Sequence, residues 1–351
     1  ISGGVTLNSS GSNGSIEFGT GDSTFKIATI NAGNGITINS DVSIEQSSVF
    51  NADYDANGTG ALSIAAGKSL TSATNQSISI TANNIDILGT ISSGTGSTTI
   101  AVSDGGTIGL GGTSGNMTIT GTELGNITAG TLNIGNSSTG NITVDGISAA
   151  NSNNATTVNL TTASASSVSF SNNASTFQAL DVSSGNGINQ SVNLTTSSTA
   201  TLDADSNDDG SGDFSNTAGT VSTGGSALSI TGNDFGLSGS INTGTGTTTI
   251  LISDGGSIGL GSTAGNMTIT GTELGNITAG TLTIGDSTAG AMTVNGISSA
   301  NSTNITTVDL NSSSIAFSTG DSTFNGLTAT ANTGAITGTV ALTVAGTSSF
   351  T

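Results

Sequence analysis

The sequence predicts an all-β chain wound as a parallel β-solenoid, a β-helix of short stacked coils. Three observations carry this. Aliphatic residues recur in alternating pairs, turn-forming residues separate the pairs, and a unit of about 150 residues repeats along the chain.

The elements follow in order from the pairs. Ile16 and Phe18, Ile36 and Ile38, Val42 and Ile44, Ile78 and Ile80, and Ile85 and Ile87 each place two apolar side chains on one face of a short strand. Ile100 and Val102, Ile108 and Leu110, Met117 and Ile119, Leu132 and Ile134, and Ile142 and Val144 continue the pattern. Clusters of Gly, Asn, Asp and Ser interrupt it with turn chemistry. No stretch sustains a helical period, so the chain reads as nearly all β.

The repeat fixes the organisation. Residues 101–160 and 251–310 match at 44 of 60 positions, an offset of 150. Val5, Val158 and Val308 open three copies, Phe18, Phe170 and Phe317 correspond, and so do Phe25, Phe177 and Phe324. The copies run over 1–153, 154–303 and 304–351, the last one short. Globular beads on a string would carry linkers and aromatic cores, yet the chain has no Pro and 3% aromatic residues. Stacked coils need little aromatic volume, because each coil packs its aliphatics on the next. The expectation is one continuous β-solenoid over 1–351. Two or three strands per coil give roughly 20–25 residues a turn and about 15 coils, with Ser, Thr and Asn forming ladders on the outer faces.

Composition excludes much chemistry. The chain lacks Cys, His and Arg and holds two lysines, Lys26 and Lys68, against 22 acids, a formal charge of −20. No thiol nucleophile, imidazole base or ordinary zinc, haem or iron–sulfur site can be built. No phosphate clamp or nucleic-acid footprint is present. The charge repels polyanions and favours divalent cations. No apolar run is long enough to cross a membrane as a helix. The chain opens at Ile1 with no basic leader and apolar stretch, so the expectation is a piece of a longer polypeptide that continues beyond Ile1 and Thr351 or meets a second copy end to end.

The segments ISITANNIDILGTISSGTGSTTI (78–100), SDGGTIGLGG, NMTITGTELGNITAG and NITVDGI resemble the repeats of filamentous-haemagglutinin-like proteins. These are large bacterial surface proteins, exported by two-partner secretion or as autotransporter passengers. The resemblance implies a right-handed parallel β-helix, extracellular or cell-surface display, and a role in adhesion or fibre formation.

Several constellations invite chemistry. Glu123 and Glu273 occupy equivalent places in two GTELGN segments; with no basic partner, they are expected to serve a turn or cap. Asp104 and Asp254, each followed by two Gly, read as turns. The sharper signal is D-x-[DN]-x-[ND]-G, which occurs as Asp53, Asp55, Asn57 and Gly58 and again as Asp205, Asn207, Asp209 and Gly210, an offset of 152. This matches the first half of a calcium loop, whose oxygens at positions 1, 3 and 5 converge around a Gly turn. Asp203, Asp208 and Asp213 add carboxylates to the second copy. Position 12 holds Ile64 and Asn216 rather than Glu, so calcium binding would be weak; an exposed polar turn is the alternative. Asn-x-Ser/Thr triplets such as Asn116, Asn126 and Asn141 are potential glycan acceptors. Thr-x-Thr pairs such as Thr118 with Thr120 suggest an ice-binding face only if they form an ordered array.

The functional expectation is a non-enzymatic structural segment, a stalk, fibre or sheath of a large secreted protein, whose partners are further coils or copies of itself. The alternative is an adhesin that binds a cell-surface glycan or another cell through lateral loops. A polysaccharide-active β-helix enzyme is a third class, disfavoured by the absence of a nucleophile–base pair and by a single Tyr, Tyr54, for sugar stacking.

Overall fold

The structure, a computed structural model, describes residues 3–351. Ile1, from which the expectation of a longer polypeptide was partly drawn, lies outside them. The chain divides into two compact units, Ile1–Leu180 and Asp181–Thr351. Each is a parallel β-solenoid.

In the first unit a coil passes through up to three short strands, each hydrogen-bonded to its counterpart in the next coil. One face stacks Gly4–Ser9, Ile27–Ala32, Ser48–Asn51, Ile78–Ala82, Ser97–Val102, Ile127–Gly135 and Ala155–Thr161, all parallel. A second face stacks Ile16–Phe18, Ile36–Ile38, Ala61–Ile64 and Asn84–Ile87. A third stacks Ser23–Phe25, Val42–Ile44, Ser69–Ser72 and Thr90–Ser92. Period-two patterning explains the core. Ile36 stacks on Leu62, Ile38 on Ile64 and Val42 on Leu70, all fully or almost fully buried. Like stacked on like keeps an aliphatic interior dense without aromatics.

The second unit repeats the plan. Ala200–Asp203, Leu228–Gly232, Thr247–Ile252, Ile277–Ile284, Ile305–Ser312, Leu327–Ala331 and Ser348–Phe350 form its long parallel face. Met267–Ile269, Ile258–Gly261, Ala291–Asn295, Ser314–Phe317 and Ile336–Gly338 form another.

Coil length varies more widely than the even spacing expected. Thr29 pairs with Val49, Ser48 with Ile78, Ile78 with Thr98, Thr98 with Leu132 and Leu132 with Val158. Hydrogen bonds between adjacent coils measure the spread. Ala28 N–H donates to Ser48 Oγ over 20 residues, Asn133 reaches Thr99 over 34 residues, and Asn159 reaches Asn133 over 26 residues. In the second unit Leu202 pairs with Ile230, Ile230 with Ile250, Ile250 with Ile284 and Leu282 with Val308, so long and short coils follow in the same order. In the longest coils the extra residues form an added strand, Met117–Ile119 or Met267–Ile269, paired in parallel with Ile108–Gly111 or Ile258–Gly261, and a helical turn, while the long ladders stay in register.

Some corners are helical, which the sequence reading did not anticipate. Gly121–Gly125 and Gly271–Gly275 are single α-turns, joined by Ala149–Ser152 and the 3-10 turn Ser299–Asn301. One turn is too short to show a 3.6-residue period. Their signal is the capping box: Thr120 accepts the Glu123 N–H while Glu123 accepts the Thr120 N–H, and Thr270 and Glu273 do the same.

Outer faces carry polar ladders. Asn31 Nδ2 donates to Asn8 Oδ1 at 2.8 Å, Asn133 to Thr99 Oγ1 at 3.2 Å, and Asn159 to Asn133 Oδ1 at 2.9 Å. In the second unit Asn332 donates to Asn311 at 2.6 Å and Thr220 and Ser240 share a hydrogen bond at 2.8 Å.

Candidate functional site

The two D-x-[DN]-x-[ND]-G motifs form matched straps, one at a corner of the coil from Ser48 to Ile78 and one at a corner of the coil from Leu202 to Ile230. In each, the first Asp lies underneath. Asp53 is 1% exposed and Asp205 is fully buried. Asp205 Oδ1 accepts the Asp209 N–H at 3.3 Å, and Oδ2 accepts the Gly210 N–H at 3.2 Å. Asp53 accepts the Asn57 and Gly58 N–H groups at 3.3 and 3.1 Å. The chain must curl tightly to bring those donors round. Ala56 and Asp208 take φ of 50° and 49°, and Gly58 and Gly210 both take 79°. Left-handed backbone suits Gly, and Asp tolerates it better than most residues. Each strap then closes on its own base: a Cβ on Gly60 or Gly212 would lie 1.9 Å from the carbonyl oxygen of Ala52 or Ala204.

The buried carboxylates also reach along the solenoid. Ser103 Oγ donates to Asp53 Oδ2 at 2.5 Å, and Ser253 Oγ donates to Asp205 Oδ2 at 2.6 Å. Leu202 stacks on Ile230 and Ile230 on Ile250, so Asp205 bypasses Asn233 in the adjacent coil and clasps Ser253 two coils on. The serines belong to the S-D-G-G turns. They escaped the sequence reading, although each stands at a repeated distance, 50 or 48 residues, from its Asp.

Positions 3 and 5 of each motif are exposed and tied to one another. Asn57 Nδ2 donates to Asp55 Oδ2 at 2.8 Å, and Asn207 Nδ2 donates to Asp209 Oδ2 at 2.7 Å. Asp213 engages a different partner set. Its Oδ1 accepts the Asn233 side-chain amide at 3.1 Å and the Asp234 N–H at 3.0 Å. The motif thus brings positions 1, 3 and 5 into one strap but directs position 1 inward and the others outward. Among the described residues no group of three acidic side chains converges closely enough to hold a metal ion.

Charge concentrates on the second strap. Loss of hydration raises the Asp254 carboxyl above the usual Asp value, and the neighbouring charges of Asp205, Asp208 and Asp209 raise it further. Asp203 is raised too, first by burial and then by Asp208 and Asp205, against the lowering effect of a hydrogen bond from the Asp205 N–H. No basic side chain occurs anywhere in 181–351.

The other candidates resolve into corner structure. Glu123 and Glu273 staple their helical corners to a strand 36 residues earlier, accepting the Ile87 and Leu237 N–H groups at 3.1 and 3.0 Å. Asp104 Oδ1 accepts the Gly106 N–H at 3.1 Å, as a turn Asp does. Thr118 and Thr120 do not form a flat hydroxyl array: Thr118 Oγ1 accepts the Gly115 N–H and Thr120 caps the helix.

These features define a parallel β-solenoid repeat protein. No family model matches the chain, and no curated protein or solved structure matches it.

Proposed function

We propose that the chain is a structural segment of a large secreted or cell-surface protein, forming a stalk, fibre or sheath, of the kind implied by its resemblance to filamentous-haemagglutinin-like bacterial proteins. The carrying observation is the parallel backbone ladder in each unit, kept in register through coils of unequal length. Such a ladder resists extension through many hydrogen bonds at once. Its partners in this reading are further coils of the same chain or a second copy, and it does no catalysis. Electron microscopy of the parent protein released from the cell surface tests it. Filaments are expected, and isolated compact particles would overturn it.

An adhesive role is the second reading, favoured by a groove of about 300 Å³ lined by Asp86, Ile87, Leu88, Thr120 and Glu123. Leu88 is 64% exposed there. The equivalent residues of the second unit, Gly236 and Ser238 for Asp86 and Leu88, do not repeat it. Loss of glycan or cell binding in Leu88→Ser would support adhesion through this groove.

The same proposal includes weak calcium association with the second strap through the summed charge of Asp203, Asp205, Asp208, Asp209 and Asp254 and the lack of any basic residue in 181–351, with no three of these carboxylates converging on one point. Calcium would neutralise charge that the chain cannot neutralise itself, and would raise stability by mass action. Calorimetric titration of the wild type against Asp209→Ala tests it; no heat above dilution at millimolar calcium would remove calcium from the reading.

A further inference from the structure

The corner that leads from the third face of the first unit onto its long face widens coil by coil. One residue, Lys26, links Ser23–Phe25 to Ile27–Ala32. Three residues, 45–47, link Val42–Ile44 to Ser48–Asn51, and five, 73–77, link Ser69–Ser72 to Ile78–Ala82. The longest of these loops is tied to the one before it, because the Thr74 hydroxyl donates to the Glu45 carbonyl. The steps open a groove of about 460 Å³ lined by Ile27, Glu45, Gln46, Ser47 and Gln76. That is the size of a small-molecule site rather than of a protein interface.

The scaffold does not need these side chains. The second copy of the repeat has corners of the same lengths, three residues at 197–199 and five at 223–227, with Ser197, Ser198 and Ser226 in place of Glu45, Gln46 and Gln76. The third copy repeats the backbone bonds of the first. Glu45 and Gln46 N–H donate to the Phe25 and Lys26 carbonyls at 3.0 and 2.8 Å, and Ala345 and Gly346 N–H donate to those of Phe324 and Asn325 at 3.0 and 2.7 Å. Ala and Gly therefore build the turn as well as Glu and Gln do. Among the described residues neither the Glu45 carboxylate nor the Gln46 carboxamide has a hydrogen-bond partner, and Gln76 Nε2 reaches only the Thr74 carbonyl, at 3.4 Å. Long polar side chains that do nothing for their own turn are free to serve a ligand.

We propose that this corner binds a neutral saccharide carrying N-acetyl groups. The groove offers one carboxylate, which accepts from paired hydroxyls, two carboxamides, which donate and accept, and the Ser47 hydroxyl. An acetamido group matches this set: its N–H and C=O pair with the carboxamides, and its methyl packs on Ile27, the one aliphatic side chain of the lining. Glu45 in the groove and the chain's charge of −20 repel anionic sugars. The lining has no aromatic ring, so affinity is weak and rests on hydrogen bonds. The site rests on the adhesive reading above but lies on a different corner from the Leu88 groove.

Calorimetric titration of the full chain with tri-N-acetylchitotriose, at about 1–10 mM sugar, tests the site. Maltotriose, a trisaccharide without acetamido groups, is the control. Saturable binding of the first sugar and weaker binding of the second are expected. Gln76→Ser, and Glu45→Ala combined with Gln46→Gly, write the residues of the other copies into the corner, so melting is expected to stay as in the wild type. Each variant is expected to weaken chitotriose binding about fivefold or more. No saturable heat with the wild type, equal binding of the two sugars, or variants that bind as the wild type does would overturn the site. Leu88→Ser is expected to leave the chitotriose titration unchanged. If it alone removes cell binding, the adhesive reading stands and the corner falls.

Discussion

Ser253 donates its hydroxyl proton to the fully buried carboxylate of Asp205 across 48 residues of sequence and two coils of the solenoid. Ser103 and Asp53 repeat the bond in the first unit. A buried carboxylate that loses one donor keeps its desolvation cost and gains nothing in return. Ser253→Ala is therefore expected to cost about 1–3 kcal/mol, read by urea unfolding, with the loss concentrated in exchange protection of the strap. Ser253→Thr should retain most of the stability.

The corner carboxylates are expected to matter more than their short helices suggest. Glu123 is 9% exposed and accepts from the Thr120 N–H, the Thr120 hydroxyl and the Ile87 N–H. Glu123→Ala orphans a strand donor as well as a cap, so a loss of at least about 1–3 kcal/mol is expected. Glu123→Gln keeps one acceptor and should lose less. Thermal unfolding of both variants, with Glu273→Ala as a replicate in the second unit, checks this.

One stretch of the second unit's core is polar. Asn216 Nδ2 donates to Gln190 Oε1, and both residues are 1% exposed. The register pairs them as it pairs Ile38 with Ile64 in the first unit. Gln190→Ile alone leaves the Asn216 amide without that acceptor and is expected to destabilise by about 1–3 kcal/mol. Asn216 Oδ1 also accepts the Gly239 N–H at 3.0 Å, and Gln190 Nε2 donates to the Val192 carbonyl, so the double change Gln190→Ile with Asn216→Ile is expected to recover only part of the loss, because it leaves the Gly239 N–H without its acceptor. A double-mutant cycle measures the coupling.

The contribution of three carboxyls to stability should fall as pH rises above 3.8. Asp203, Asp254 and Asp309 each have a folded carboxyl raised above 3.8; lost hydration comes first, through burial at Asp203 and Asp309, and at the exposed Asp254 it is joined by the charges of Asp205, Asp208 and Asp209. The folded state then binds protons that the unfolded chain has already released. Stability from these groups is highest below 3.8 and is lost as pH climbs through their raised folded values. Asp309→Asn is expected to raise the melting temperature near neutrality and to flatten the pH profile. A profile rising with pH across this window would contradict it.

Much of the fold is legible in the residues themselves. Pairs such as Ile36 with Ile38 and Val42 with Ile44 point inward as their alternation predicts, and the repeat places the two straps at equivalent corners. The vertical neighbours of each residue are not legible in the same way. They depend on coil length, and short and long coils follow one another without a periodic marker. This hides Ser253 under Asp205 and Ile87 beside Glu123. Spacing alone also did not show that Asp53 and Asp205 face inward while Asp55 and Asn207 face solvent. That orientation follows from the serine beneath, two coils away.

The variable coils carry an evolutionary consequence. Ile78 meets Thr98 after a short coil and Thr98 meets Leu132 after a much longer one, yet both junctions are equally regular parallel pairs. An extra strand and a helical turn, such as Met117–Ile119 and Gly121–Gly125, can thus be gained or shed while the strands of the long face before and after them keep their partners. A lineage built this way can trial new surface loops one at a time, each insertion judged on its own chemistry because it leaves the scaffold's pairing intact.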